Sequence, residues 1–132
     1  MMANRRELLI GIGASLLVGG GASRLVQAAA PGSWVLYVSA ADCRVCRTWE
    51  VDHKDAFVRG LQKNGIGFRT VTVSSLRDVR EDAAWPADLK WVRDAYANIR
   101  GTPWFFVISG HSIQMAANST DMWRTKLLPL AA

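Results

Sequence analysis

Cysteine and histidine are scarce in this chain, two of each among 132 residues. A framework of several disulfides is therefore excluded, and the soft and imidazole ligands suffice for one tetrahedral metal site at most. Runs of lysine and arginine, with or without interleaved aromatic residues, are also missing. The formal charge of +5 is thus spread along the chain rather than concentrated as nucleic-acid binding requires, and no nucleic-acid partner is expected. No stretch reaches the roughly 20 consecutive apolar residues of a membrane-spanning helix. With half of its composition hydrophobic, the chain can bury one core and is too short for two domains.

What it has instead begins with a leader pattern. Arg5 and Arg6 precede fifteen uncharged residues, 8–22, followed by Arg24 and the small-residue run Ala28-Ala29-Ala30. This three-part layout predicts an export signal. The order Asn4-Arg5-Arg6-Glu7-Leu8-Leu9 resembles a twin-arginine signal, while an ordinary secretory signal with two arginines as its positive end fits equally well. Val26-Gln27-Ala28 is the preferred cleavage site, because Pro31 disfavours processing after Ala30. The expected boundaries are a signal over residues 1–28 and one domain over 29–132; an uncleaved leader would instead serve as a membrane anchor. Cleavage removes Arg5, Arg6, Arg24 and Glu7 and lowers the formal charge to about +3. The compartment implied is periplasmic or otherwise exported, where a disulfide persists that the cytosol would reduce.

Cys43 and Cys46 follow the apolar run Val35-Leu36-Tyr37-Val38-Ser39-Ala40, the pattern of a strand buried on both faces. A Cys-x-x-Cys pair opening a helix brings its sulfurs within bridging reach and aims unpaired backbone N–H groups at the first of them. A bridge over so small a loop restrains the unfolded chain little, so the spacing favours redox exchange over a structural staple. The helix predicted from Cys43 to about Lys63 carries Val45, Trp49, His53, Phe57 and Leu61 at four-residue steps, and Asn64-Gly65 ends it. Residues 67–74 alternate as a second strand, completing a right-handed βαβ unit. Residues 75–84 are polar and charged and read as a solvated loop or short irregular helix without a function. Pro86 opens another helix with Leu89, Val92, Tyr96 and Ile99 at helical spacing before Gly101. Residues 104–109 form a strand, Gly110-His111 a turn, and residues 112–116 its antiparallel return. Asn118-Ser119-Thr120-Asp121 supplies cap chemistry for a last helix whose Trp123, Leu127 and Leu130 cover the sheet.

Two stretches far apart in this order resemble the thioredoxin superfamily: a strand leading into Cys43-Arg44-Val45-Cys46, and the turn Gly101-Thr102-Pro103 before the apolar run Trp104-Phe105-Phe106-Val107-Ile108. The resemblance covers about Trp34 to the C-terminus. It implies an α/β thioredoxin fold, a four-stranded mixed sheet in the order βαβ-α-ββα flanked by helices, without the extra strand and helix that many members carry in front. It also implies that Cys43 is an accessible nucleophile and Cys46 the resolving thiol. Pro103, cis in that family, would then sit beside the cysteines with Thr102 exposing its backbone to an extended substrate, and Trp104 is a candidate lining of that groove. Arg44 and Arg47 should lower the Cys43 pKa, with Asp42 opposing them.

The chain departs from the family pattern in several places. Tyr37 stands where many members have a buried aspartate, Asp42 where an aromatic residue precedes the first cysteine, Arg-Val replaces Gly-Pro between the cysteines, and Val51 replaces a kinking proline. Proton handling and redox potential are therefore not carried over. The expected activity is thiol–disulfide exchange, preferentially the reduction of disulfides in partner proteins, with a membrane thiol-transfer protein as the electron source. The competing function is a copper or zinc carrier or a non-catalytic adaptor of the same fold. Its four ligands would be the two cysteines with His53 and His111, but His53 falls on the core stripe and nothing places His111 nearby. Arg47, directly after Cys46, excludes the haem-attachment motif. No cofactor is expected.

Overall fold

The structure, a computed structural model, describes residues 32–96 and 98–132. The signal expected over residues 1–28 lies outside them, as do the first residues of the expected domain. Strand β1 (Trp34–Ala40) is buried along nearly its whole length, as a run of Val, Leu, Tyr and Ala without alternation requires. It pairs in parallel with β2 (Gly67–Val73) on one side and antiparallel with β3 (Trp104–Ser109) on the other. A two-residue turn, with Gly110 at φ +59°, returns the chain as β4 (Ser112–Ala117). The result is an open, mixed four-stranded sheet in the order β2-β1-β3-β4, flanked by helices. The fold is thus α/β with the element order expected.

Pleating divides the core into two aromatic layers. Tyr37 and Phe105, opposite each other on β1 and β3, share a face with Phe68, and Trp49, Phe57 and Trp123 pack onto that face from the helices. Trp104 and Phe106 occupy the other face, where Tyr96 covers them.

The first helical segment is where the structure departs most from the expected single helix. It runs as α1 (Arg44–Trp49), a π-helical turn over Glu50–Lys54, and α2 (Asp55–Lys63). Each four-residue step in an α-helix overshoots a full turn by about 40°, so a stripe at such spacing drifts around the axis. The wider π turn subtracts from that drift and keeps Trp49, Phe57 and Leu61 buried on one side, with His53 half-buried against Trp123. Val45 is no part of the stripe. It is 53% exposed, and Cys46 takes the inward position. The segment ends as expected: Ile66 N–H donates to the Leu61 carbonyl and Gly65 N–H to that of Gln62, with Gly65 at φ +74°. Gly60 is required by the close approach of the C-terminal turn Leu128–Ala131, since a Cβ there would collide with the Ala131 carbonyl.

Two further expectations need adjusting. The segment 75–84 is exposed or half-buried outside Val79 and ends in a short 3-10 turn (Asp82–Ala84), as expected, but it is anchored: Val79 is buried, and Trp85 just beyond it is buried with its indole N–H on the Val79 carbonyl at 2.8 Å. The following helix is shorter than expected, a 3-10 turn (Ala87–Leu89) and then α3 (Lys90–Ala95). At that end Arg80 adds a second donor to the carbonyls of Arg93 and Tyr96, both at 3.0 Å, which already accept from Tyr96 N–H and Ile99 N–H. Asp82 ties the same segment down through Arg93 and Lys90, whose hydrogen bonds hold its pKa at about 2. The last helix, α4 (Thr120–Lys126), is capped by Ser119, whose hydroxyl accepts from Met122 N–H at 3.1 Å.

Candidate active site

Cys43 sits where strand turns into helix. Ala41 N–H donates to the Val73 carbonyl and Cys43 N–H to that of Ala40, so residues 41–42 form a turn that sets Cys43 as the N-cap of α1. A sulfur in the capping position does what a serine oxygen would: Cys43 Sγ accepts from Cys46 N–H at 3.1 Å. The two sulfurs are joined in a disulfide, with Cα atoms 5.2 Å apart. On reduction the same N–H favours the thiolate at Cys43 over the neutral thiol.

The distant proline turn converges on this sulfur. Gly101, at φ +62°, delivers Thr102 and a cis Thr102–Pro103 peptide, and the Thr102 carbonyl oxygen lies 3.7 Å from Cys43 Sγ. Trp104 shapes the turn from behind. Its ring stacks on Phe106 and its indole N–H holds the Arg100 carbonyl at 3.1 Å. Among the described residues, no backbone hydrogen bond engages the N–H or carbonyl of Thr102. Its hydroxyl is buried and likewise unpartnered.

One expectation of the resemblance is not met. Cys43 is only 2% exposed and Cys46 fully buried, so the leading sulfur is covered rather than open at the sheet edge. The turn is the reason, since it presses a carbonyl against the sulfur that a nucleophile would have to reach.

The charged neighbours fall into separate arrangements. Arg47 is committed to a cluster below the disulfide, donating to Glu50 (3.0 and 2.9 Å), Ser39 Oγ (2.7 Å) and the Ala41 carbonyl (3.2 Å). Asp42 fastens the next loop, accepting from Leu76 N–H at 2.8 Å and Ser75 Oγ at 3.2 Å. Arg44 is exposed and has no hydrogen-bond or ion-pair partner among the described residues. Of the three, Arg44 is the cation left uncompensated beside Cys43.

Glu50 is the site residue that sequence reasoning passed over. Its carboxylate accepts from Tyr37 OH at 2.8 Å and Ser39 Oγ at 3.2 Å besides pairing with Arg47, and Tyr37 OH also reaches the Cys46 carbonyl at 3.4 Å. The signal was its place one turn after Cys46, beside a tyrosine at the position where the family has an acid. Burial pushes the Glu50 carboxyl up, but hydrogen bonds from Arg47, Tyr37 and Ser39 and the Arg47 charge outweigh it and hold the pKa below the ordinary carboxylate value. Burial raises the Tyr37 phenol, with Glu50 adding to it against Ser39 and Arg47, so the phenol stays protonated as a donor.

This arrangement has a pH signature. The folded-state pKa of Glu50 lies below its unfolded value of about 4.3, so its stabilisation is complete above that value and is lost as pH falls through the folded one. Urea midpoints measured from pH 7 downward should fall in that window for the parent protein. In Glu50→Gln the fall over the same window should be shallower, from a lower stability at pH 7; parallel curves would show that the carboxylate is not stabilised there.

The histidines do not join the cysteines. His53 packs on Trp123 and His111 stacks on Trp91, and among the described residues no three His, Cys, Asp or Glu side chains gather as a metal site. Also among the described residues, no helix is long and apolar enough to cross a membrane. No protein-family model and no curated protein matches the chain, so the chemistry of the site is argued from its geometry.

Proposed function

We propose that this is an exported thiol–disulfide oxidoreductase with a thioredoxin-like core, acting to reduce disulfides in partner proteins. The observation that carries the reading is the convergence on one sulfur of a helix-start N–H and a proline-turn carbonyl separated by about sixty residues of chain. A structural bridge needs neither. The order β2-β1-β3-β4 differs from that of a typical thioredoxin; what supports the reading is the mixed four-stranded sheet with its flanking helices. A disulfide between the only two cysteines accords with an oxidising compartment, as the leader pattern suggests.

In the proposed reaction a dithiol donor first reduces Cys43–Cys46, taking up the disulfide itself; a membrane thiol-transfer protein is the donor class proposed. Cys43 thiolate then attacks a substrate disulfide, forming a mixed disulfide and releasing the second substrate sulfur as a thiolate, which takes a proton. Cys46, deprotonated, attacks Cys43 Sγ, re-forms the internal bond and releases the other substrate thiol. Two electrons pass from the protein thiols to the substrate. Because the Thr102 carbonyl covers Cys43, substrate pairing with the unengaged Thr102 backbone supports the reaction twice: it docks the extended segment and draws the carbonyl away from the sulfur.

The test is trapping. Cys46→Ser, reduced and exposed to a peptide disulfide, should accumulate one adduct on Cys43 by intact-mass spectrometry, while the parent protein turns over without accumulating it. No adduct on Cys43 after complete reduction would refute the assigned roles. Stoichiometric copper or zinc held by the reduced cysteines, with no exchange, would point to the carrier instead.

A further inference from the structure

A groove of about 510 Å³ is walled by residues 76–80 on one side and 98–101 on the other. Both walls are tied to Cys43. Leu76 N–H bonds the carboxylate of Asp42, the residue before Cys43, and Gly101 immediately precedes Thr102, whose carbonyl touches Sγ. A chain paired with Thr102 therefore meets the groove with the residues flanking its cysteine. The volume lies within the range of about 300–1,000 Å³ typical of ligand sites.

The chemistry of the walls is cationic. Arg77, Arg80 and Arg100 line the groove against a single carboxylate, Asp78. Arg80 is spent on Asp94 and the carbonyls of Arg93 and Tyr96. Arg77 and Arg100 are exposed, and their guanidinium groups have no partner among the described residues. Arg44, next to Cys43 in the chain, is a third free cation, while Asp42 is occupied by the loop. Guanidinium groups match carboxylates as paired donors, and two of them in a concave site select for acidic groups more than scattered surface cations do.

Resting on the exchange reading above, we propose that the groove selects the substrate: an extended polypeptide segment with Asp or Glu flanking its disulfide cysteine, whose carboxylates engage Arg77 and Arg100. A polypeptide is favoured over a free small acid because Gly101, in the groove wall, leads directly into Thr102, whose backbone offers main-chain pairing.

The experiment uses the full chain and two disulfide-linked peptides of equal length, differing only in Glu or Lys around the cysteine, with 2-hydroxyethyl disulfide as a neutral reference. Rates for each peptide are divided by the neutral rate of the same protein. The acidic peptide should be preferred roughly five- to tenfold at low ionic strength, the preference shrinking in about 0.5 M salt and reversing in Arg77→Glu/Arg100→Glu. Equal rates for the two peptides, or a preference that survives charge reversal, overturns the proposal. So does a charge-dependent preference confined to oxidised glutathione, which would make the occupant a free small acid. Should the protein exchange with none of these disulfides, the redox reading falls by itself. The groove is then decided by fluorescence anisotropy of the Glu peptide with its cysteine changed to serine: salt-sensitive binding lost in the double variant supports it, and no binding overturns it.

Discussion

Cys43→Ser is expected to lower disulfide reduction by more than about a thousandfold, because the one thiol it leaves, Cys46, is fully buried and out of reach of a substrate disulfide. Cys46→Ser should lose turnover as well but keep the first chemical step, so the two variants differ in kind: one silent, the other trapped. That asymmetry separates exchange from a structural role. If the bridge were only a staple, both substitutions would remove the same small loop constraint, costing at most about 2 kcal/mol, and neither would form adducts. Insulin reduction with dithiothreitol, with intact mass on each variant, reads both outcomes. The near-complete burial of Cys43 adds an expectation about rate: alkylation of the reduced parent should be slower than that of a free thiol at equal thiolate content.

The largest loss of stability is expected at Trp49. This side chain is 1% exposed and touches Tyr37, Phe57, Phe105 and Trp123, so it joins α2 and α4 to the central strands on one face of the sheet, three residues after Cys46. Trp49→Ala should cost about 3–5 kcal/mol, against a total of about 5–15 kcal/mol for a domain. Urea unfolding should show the oxidised variant partly or wholly unfolded at 37 °C. Trp49→Phe should be far milder, within about 2 kcal/mol, since the indole N–H it removes is buried without a partner and contributes no hydrogen bond. A comparable loss in both variants would mean that the indole N–H is bonded after all.

How much of this was legible beforehand differs by element. The strands could be read because each carries its face in its own residues: Val71 and Val73 are buried with Thr70 and Thr72 outside, and 104–109 reads as an apolar run whichever neighbour it finds. The break in the first helix could not be read. Four-residue spacing of Trp49, His53, Phe57 and Leu61 looks helical, yet the stripe stays on one side only because a π turn absorbs the drift. The anchoring of the segment after β2 was equally hidden, since Asp82 finds its partners on α3, and Leu76 N–H and the Ser75 hydroxyl find theirs at Asp42, far away along the chain. The link of Glu50 to Tyr37 exists only once β1 runs beneath the helix.

The sequence by itself determined the pair of sulfurs, their place at a strand-to-helix junction, the element order and the proline turn, because short-range spacing and local backbone preference suffice for each. Tertiary structure alone decided that the turn lies on the sulfur and covers it, that Arg47 is neutralised by Glu50 while Arg44 is not, and that free arginines meet in a groove. Those features depend on which distant side chains share a few ångströms, and burial and charge pairing act over that distance without regard to order along the chain.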